Sequence, residues 1–351
     1  MMLKKSDIMS YDSADMFSIL SAFPEQIAEA FEIGSNIEPS KDLSSVQNII
    51  ITGLGGSAIG GDLLRSYLQY EIKVPVTINR NYFLPAYAGS NTLVIVSSYS
   101  GETEETLSAY NDAKSKGCRI VCVSSGGKLT LQAENDGYLV IKVPRGYQPR
   151  CALAFSFFTL LLFFTKNGLV PSRDKEIIRL IEVMKERSNL YTDFESGKNA
   201  AEKIASHLIG KVPIIYSSND LLDIVNLRWR GQFAENAKTL SFGNYFPELN
   251  HNEIVGWQEN SEFLRNFAVL YLIDREDNPR IIKRQKITKE ILEKYRGLDL
   301  EIESEGNSKL ERIFDLVYLG DWISYYLAVL NKVDPAPIEK INLLKNKLME
   351  N

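Results

Sequence analysis

Short runs of consecutive apolar residues alternate with longer amphipathic stretches along the first half of the chain. The runs lie near 49–52, 74–78, 92–97, 119–124 and 138–143, and helix-period stretches near 58–69, 104–116 and 129–134 fall between them. Brief all-apolar strands separated by helices predict a parallel sheet covered on both faces. Ahead of this unit, residues 8–32 read as one helix with Phe17, Leu20, Ile27 and Phe31 at its apolar positions. Behind it, a turn-rich segment at 144–149, a phenylalanine-rich run over 151–165 and a charged helix over 175–191 lead into a second alternation. There a helix over 199–209 precedes strands at 212–216, 266–273 and 298–302. Helices over 309–330 and 337–349 end the chain, with Pro335 and Pro337 breaking between them. Both halves read strand, serine-rich loop, helix, since 217–220 follows its strand as 97–100 does. The pattern predicts an α/β protein of two domains, drawn at 1–166 and 167–351.

Two strand-to-helix turns carry the first chemical signal. Gly53-Leu54-Gly55-Gly56-Ser57 follows the 49–52 run, and Ser97-Ser98-Tyr99-Ser100-Gly101-Glu102-Thr103 follows the 92–97 run. A helix start gathers unpaired N–H groups and the positive end of the dipole, which suits an anion. Glycines let the backbone approach, and Ser57, Ser98, Ser100 and Thr103 add hydroxyl donors. The first turn also fits the loose dinucleotide fingerprint, which expects an acidic residue about 20 positions on. The next strand ends Ile78-Asn79-Arg80 instead, where only Arg80 favours a 2′-phosphate. Two hydroxyl-rich turns at neighbouring strand ends favour a phosphate cradle.

Composition narrows the partners. The 351 residues are 44 % apolar and 24 % charged, as in a globular protein. A net charge of -5 lacks the basic face that nucleic acid demands, while a few aimed donors still suffice for a small anion. Cys118, Cys122 and Cys151 form no C-x-x-C pair and read as buried, reduced thiols of a cytoplasmic protein. Residues 1–7 lack the apolar centre of a signal peptide. The 151–165 run, bounded by Arg150 and Lys166, falls short of the about 18 apolar residues that span a bilayer. It is read as a helix buried inside the protein or at a subunit contact, which favours a dimer over a membrane partner. No His, Cys and carboxylate cluster has ligand spacing, so neither a metal nor another cofactor is expected.

Gly55-Gly56-Ser57-Ala58, together with Ser98-Tyr99-Ser100-Gly101-Glu102-Thr103-Glu104-Glu105-Thr106, resembles a sugar isomerase domain. Phe233-Ala234-Glu235-Asn236-Ala237-Lys238 and the 247–257 segment Pro-Glu-Leu-Asn-His-Asn-Glu-Ile-Val-Gly-Trp resemble the bifunctional phosphoglucose/phosphomannose isomerases of archaea and some bacteria. The likeness runs over nearly the whole chain. It implies two sugar-isomerase-type domains, each a parallel sheet flanked by helices, with the active site between them. It implies metal-free interconversion of glucose 6-phosphate and mannose 6-phosphate with fructose 6-phosphate through an enediol. The phosphate would be held by Gly56, Ser57, Ser98, Ser100 and Thr103. Glu235 would shuttle the proton, His251 would open the ring, and Arg150 would polarise the sugar oxygen. A lysine of the last helix assists ring opening in the family, and Lys345 matches best, with Lys347 close by. The family's matching histidine comes from the partner subunit, which implies a homodimer with a shared site. The two halves are longer than a minimal domain of this type, notably over 275–310.

Each residue also has a plainer reading. Glu235 sits near a helix end among Ala234, Asn236 and Ala237, with Gly231 one turn earlier, and small neighbours admit a ligand. A buried carboxylate raised toward neutrality makes an effective general base, contributing roughly 10²–10⁴-fold; a solvated helix glutamate is the alternative. His251 lies in the polar turn Asn250-His251-Asn252 and suits proton transfer near neutral pH, or is a surface or capping histidine. His207 reads as structural, and Glu253 as part of a helix start capped by Asn252. Arg150 either stabilises enediolate charge or ends an apolar helix. Lys345 borders the stripe Ile338, Ile341, Leu344 and Leu348, where snorkelling lysines are common. Glu102, Glu104 and Glu105 fit the positive end of a helix dipole. Two rival functions stand: a non-catalytic sugar-phosphate-binding regulator, for which no basic DNA-binding module is evident, and an NADP-dependent oxidoreductase.

Overall fold

The computed structural model describes residues 5–40, 43–193, 196–258 and 262–350, and the architecture is that of those residues. The first four residues of the N-terminal stretch 1–7 lie outside them. The 8–32 helix is broken into α1 (Lys5–Tyr11), α2 (Met16–Ser21) and α3 (Phe23–Ser35). Asp12 makes the first break, because its carboxylate accepts from the N–H groups of Met16 (2.7 Å) and Phe17 (2.8 Å). Such local side-chain bonding ends one helix and starts the next.

The chain forms two compact units. One runs from Ala22 to Lys185; the other joins α1 and α2 to the residues from Glu186 onward. The boundary drawn at 166/167 therefore falls later, inside a helix, and the chain's first helices belong with its second half.

In the Ala22–Lys185 unit the elements after α3 are β1 (Asn48–Thr52), α4 (Gly55–Leu68), β2 (Val76–Asn79), β3 (Thr92–Ser97), α5 (Glu104–Ser115), β4 (Arg119–Ser124), α6 (Gly127–Asn135), β5 (Leu139–Lys142) and α7 (Leu153–Lys166). The strands form one parallel sheet in the order β2-β1-β3-β4-β5, with Ile50 opposite Thr77 on one side and Val94 on the other. The apolar runs at 92–97 and 119–124 become β3 and β4 residue for residue. α7, the phenylalanine-rich helix, is buried along its length and packs on α3 and α4. Close approach needs small residues: a Cβ on Gly60 would lie 2.2 Å from Ser156 Oγ. Because this helix is covered within its own chain, it offers no surface for a dimer.

α8 (Asp174–Thr192) carries the chain across the boundary between units. The second unit then continues with α9 (Ala200–His207), β6 (Val212–Ser218), α10 (Asp223–Glu235), β7 (Phe242–Phe246), β8 (Phe267–Ile273), α11 (Pro279–Leu292), β9 (Leu298–Glu303), α12 (Lys309–Leu330) and α13 (Glu339–Met349). Its parallel sheet has the order β7-β6-β8-β9. β7 and α11 were not anticipated. β7 is a half-exposed edge strand with Gly243 and Asn244 at its centre, and α11 is rich in lysine and arginine. α12 is long and apolar enough to cross a bilayer, but 94 % of its most apolar window is buried in protein.

A ladder of polar bonds locks α10 to α12. Trp229 Nε1 donates to the Leu316 carbonyl (2.8 Å), and Asn236 Nδ2 donates to Ser324 Oγ (2.9 Å). Between them Arg228 grips Asp321 with two bonds, Nε to Oδ1 at 3.0 Å and Nη2 to Oδ2 at 2.7 Å, and Gln232 Nε2 adds a third at 2.8 Å. Both charged side chains are nearly fully buried. Burial pushes the Asp321 carboxyl up, against the pull of the guanidinium. Asp321→Ala strands a buried guanidinium and is expected to cost about 3–5 kcal/mol in denaturant unfolding, whereas the paired change Arg228→Met with Asp321→Leu should recover most of that loss.

Candidate active site

β1 and β3 are neighbours, yet the chain leaves β1 through α4 toward β2 and leaves β3 through α5 toward β4. The crevice between their carboxyl ends is where open parallel sheets bind ligands. Leu54 is extended, and Gly55 at φ +53° makes the left-handed turn that opens α4. No side chain caps α4, so its first-turn N–H groups remain available at the crevice. Gly56 meets a second constraint, since a Cβ there would lie 2.4 Å from the Pro149 carbonyl oxygen. That approach sets the single 3₁₀ turn Pro149–Cys151 against the start of α4 and holds Arg150 there, 4 % exposed.

The hydroxyls are ordered by bonds that leave hydrogens to give. Ser57 Oγ accepts from the Tyr99 N–H (3.0 Å), and Ser100 Oγ accepts from the Glu102 N–H (3.2 Å). Each therefore keeps its own hydroxyl hydrogen for an incoming anion. Ser98 and Thr103 share one hydroxyl hydrogen across 3.1 Å, and Ser98 also accepts from the Gly101 N–H at 3.1 Å. Ser98 is thus an interior brace, 2 % exposed, while Thr103 is half-exposed at the start of α5.

Tyr99, whose role the sequence did not suggest, fixes this turn in place. Its hydroxyl donates to the Pro144 carbonyl (2.8 Å) and accepts from the Tyr147 N–H (3.0 Å), while its own carbonyl accepts from Ser125 Oγ (2.7 Å). Burial pushes its phenol up, so it stays protonated. A large aromatic residue inside a run of serines was the available signal. Glu102 turns away from the cradle. Its Oε1 accepts from the Lys128 N–H at 2.9 Å in the first turn of α6, and its Oε2 lies 3.2 Å from Lys128 Nζ. Arg80, the one feature favouring a dinucleotide, is instead committed to Asp62 at 2.7 Å.

The remaining candidates lie in the other unit, on three separate elements. Glu235 is the half-buried last residue of α10. His251 ends a 3₁₀ turn, Glu248–His251, and is exposed. Lys345 and Lys347 are both exposed on α13, whose Ile341, Leu343, Leu344 and Leu348 are also exposed. The His251 segment is anchored on both sides by the buried Leu249 and Trp257. Glu253 belongs to this anchor: it accepts from the Tyr216 hydroxyl and from Asn244 Nδ2 (2.7 Å), while Asn252 caps its N–H as expected. Among the described residues, no three His, Cys, Asp or Glu side chains are grouped as metal ligands.

Two parallel α/β units, one with an anion cradle at its switch point, define a protein of the sugar isomerase (SIS) domain class. Residues 197–348 match the model of the bacterial phospho-glucose isomerase C-terminal SIS domain. The fold is that of a hypothetical protein from Thermus thermophilus (TM-score 0.72, 16 % identity, 99 % of this chain and 94 % of that one). It also matches the C-terminal domain of glucosamine-fructose-6-phosphate aminotransferase from Francisella tularensis (TM-score 0.66, 16 % identity, 94 % and 99 %). The chain belongs to the bifunctional phosphoglucose/phosphomannose isomerase family. It is 46 % identical to the member so named in Caldicellulosiruptor bescii over 95 % of this chain and 99 % of the relative, and 36 % identical to that of Aquifex aeolicus over 88 % and 92 %. A more distant relative, 32 % identical over 64 % of this chain and 70 % of its own, is the D-glucosamine-6-phosphate 4-epimerase of Sulfolobus acidocaldarius.

The Gly56 contact is testable without substrate. Gly56→Ala must push the Pro149–Cys151 turn from α4, so inorganic phosphate binding measured by calorimetry is expected to weaken by about tenfold or more, the worth of one charge-assisted hydrogen bond.

Proposed function

We propose that the protein interconverts glucose 6-phosphate and mannose 6-phosphate with fructose 6-phosphate by proton transfer between C1 and C2. The observation that carries this reading is the cradle at the β1/β3 crevice, where Ser57 and Ser100 accept from the loop backbone and keep their hydroxyl hydrogens beside an uncapped helix start. Such a site suits a phosphate monoester dianion. With the phosphate held by Gly56, Ser57, Ser100 and Thr103, and Ser98 bracing Thr103 from behind, His251 and Lys345 open the ring, and Lys347 is the alternative lysine. Glu235 takes the C2 proton of the aldose and returns it to C1. Arg150 balances the negative charge that develops on the sugar oxygen. Removing the C2 proton of either aldose gives the same planar enediol; the two epimers carry that proton on opposite faces, so a single carboxylate serves both when the C1–C2 unit turns about the C2–C3 bond while the phosphate stays held.

The active protein is a homodimer in this reading, with His251 reaching the partner's site. Its exposure supports this, as do exposed apolar residues close in sequence to each candidate: Leu240 and Phe242 after Glu235, Val255 and Phe263 after His251, and four on α13. Three unbridged, buried cysteines, Cys118, Cys122 and Cys151, accord with a cytoplasmic setting.

Glu235→Gln is expected to bind fructose 6-phosphate normally while exchange of the C2 proton with solvent falls roughly 10²–10⁴-fold. Unaltered exchange rules out Glu235 as the base, and a chain with no turnover of any hexose 6-phosphate is the regulator instead. Mixing tests the shared site. Glu235→Gln and His251→Ala subunits, each inactive alone, should regain about a quarter of wild-type activity on random reassociation, since each mixed dimer then holds one intact site. No recovery places His251 in its own subunit's site.

A further inference from the structure

We infer that Lys238 is a positioning residue: its ammonium ties the helix end that carries Glu235 to the segment that launches α13, and so holds Glu235 and Lys345 in register. The inference rests on the isomerase reading and deepens it.

The backbone supplies the first observation. α10 ends at Glu235, Asn236 follows as its cap, and Lys238 takes φ +54°. Left-handed residues are common just past a helix, but they are usually glycine or asparagine. A lysine there accepts a steric cost that glycine escapes. Nothing in the turn demands it, since the Thr239 N–H closes the loop by donating to the Phe233 carbonyl (3.0 Å) whatever side chain position 238 bears.

The side chain supplies the second. Lys238 Nζ donates to the carbonyl of Glu235 (2.5 Å), the carbonyl of Pro337 (2.7 Å) and the carbonyl of Pro335 (3.2 Å). An ammonium has three hydrogens, and these acceptors match them. The Glu235 carbonyl belongs to the last turn of α10, where the dipole is negative. The other two lie in the break before α13. That break is stiff, because prolines fix φ at two positions and the Ala336 N–H is held by Asp334 Oδ1 at 2.9 Å. α13 begins at Glu339, shortly after Pro337, and Lys345 falls within its first two turns. With Ile341, Leu343, Leu344 and Leu348 of α13 exposed, its direction depends on how its root is held, and the tie is made at that root.

The consequence is catalytic precision. The base and the ring-opening cation must address one hexose, and a displacement of about 1 Å can cost on the order of 10²-fold in rate. Lys238 touches neither substrate nor proton; it acts through the two residues it joins.

Lys238→Gly separates the tie from the turn, because glycine satisfies the left-handed backbone while the side chain that carries the ammonium is removed. Turnover of fructose 6-phosphate is expected to fall about 10- to 100-fold with KM little changed. The melting temperature should hold or rise, and amide hydrogen exchange over 338–345 should accelerate. Lys238→Arg should recover part of the turnover. Should Lys238→Gly not fold, Lys238→Met, which keeps bulk and strain, is read by the same criteria. Wild-type turnover in the folded variant overturns the inference, as does a loss of turnover with exchange over 338–345 unchanged, or an arginine variant no better than methionine. If the wild-type chain turns over no hexose 6-phosphate, the isomerase reading fails by itself, and the exchange comparison alone judges the tie.

Discussion

Arg228 and Asp321 are two charges taken out of water at the contact of α10 and α12, and much of the second unit follows from how they are kept satisfied. Burying either alone would cost several kcal/mol, so the pair needs two well-made bonds and the third from Gln232. Such bonds tolerate no sliding. A slip of one helical turn would part Asp321 from Arg228 and would break the Trp229–Leu316 and Asn236–Ser324 bonds at the same time. An interface of leucines could repack after that slip; this one cannot. Arg228, Gln232 and Asn236 are spaced four apart on one face of α10, so the whole helix is indexed against α12. Glu235 stands beside the last rung, and its place along α12 is set by a charge pair two turns away.

The first unit reaches order by a different route. The loop backbone donates into Ser57, Ser98 and Ser100, and Tyr99 stitches the turn to the 144–147 loop through its hydroxyl. Backbone donors aimed at hydroxyl oxygens cost little desolvation, and they leave the hydroxyl hydrogens of Ser57 and Ser100 free to be given. In the proposed function an arriving dianion meets donors already aligned, so little reorganisation opposes its binding. Glu102, a charge of the wrong sign at the edge of the cradle, is neutralised by Lys128 and by the N–H groups at the start of α6.

The sequence disclosed those parts whose cause is local. β3 and β4 were legible to the residue because a strand buried on both faces is a closed apolar run with nothing to confuse it. The cradle was legible because strand, small-residue turn and hydroxyls are contiguous. β7 was not, since an edge strand half open to water has no need of an apolar run, and α11 was hidden by its many charges. The 8–32 helix looked continuous because Asp12 differs from any surface aspartate only in where its oxygens point. The phenylalanine-rich helix suggested a subunit contact, but its apolar surface is met by α3 and α4 within the same chain. The partnership of Arg228 with Asp321 spans 93 residues, and the reach of Lys238 to Pro337 spans 99; neither leaves a local trace.

Where apolar surface is left uncovered bears on how the proposed site could close. The interior spares little: α7 and α12, the most hydrophobic helices, are buried almost completely. Of the large exposed apolar side chains of the second unit, Leu240 and Phe242, Val255 and Phe263, and four on α13 follow or flank its three proposed catalytic residues in sequence, while Leu190, Ile209, Ile287 and Ile291 stand apart from them. Side chains of that size gain roughly 1.5–3 kcal/mol each when removed from water. A second copy laid over these faces would draw that free energy from the same step that brings His251 to its neighbour's sugar. Ring opening and proton transfer both suffer from competing water. A site completed only on association would therefore shed its water in the event that assembles its catalytic groups, and a lone subunit, wet and missing its histidine, would hold a sugar phosphate without turning it over.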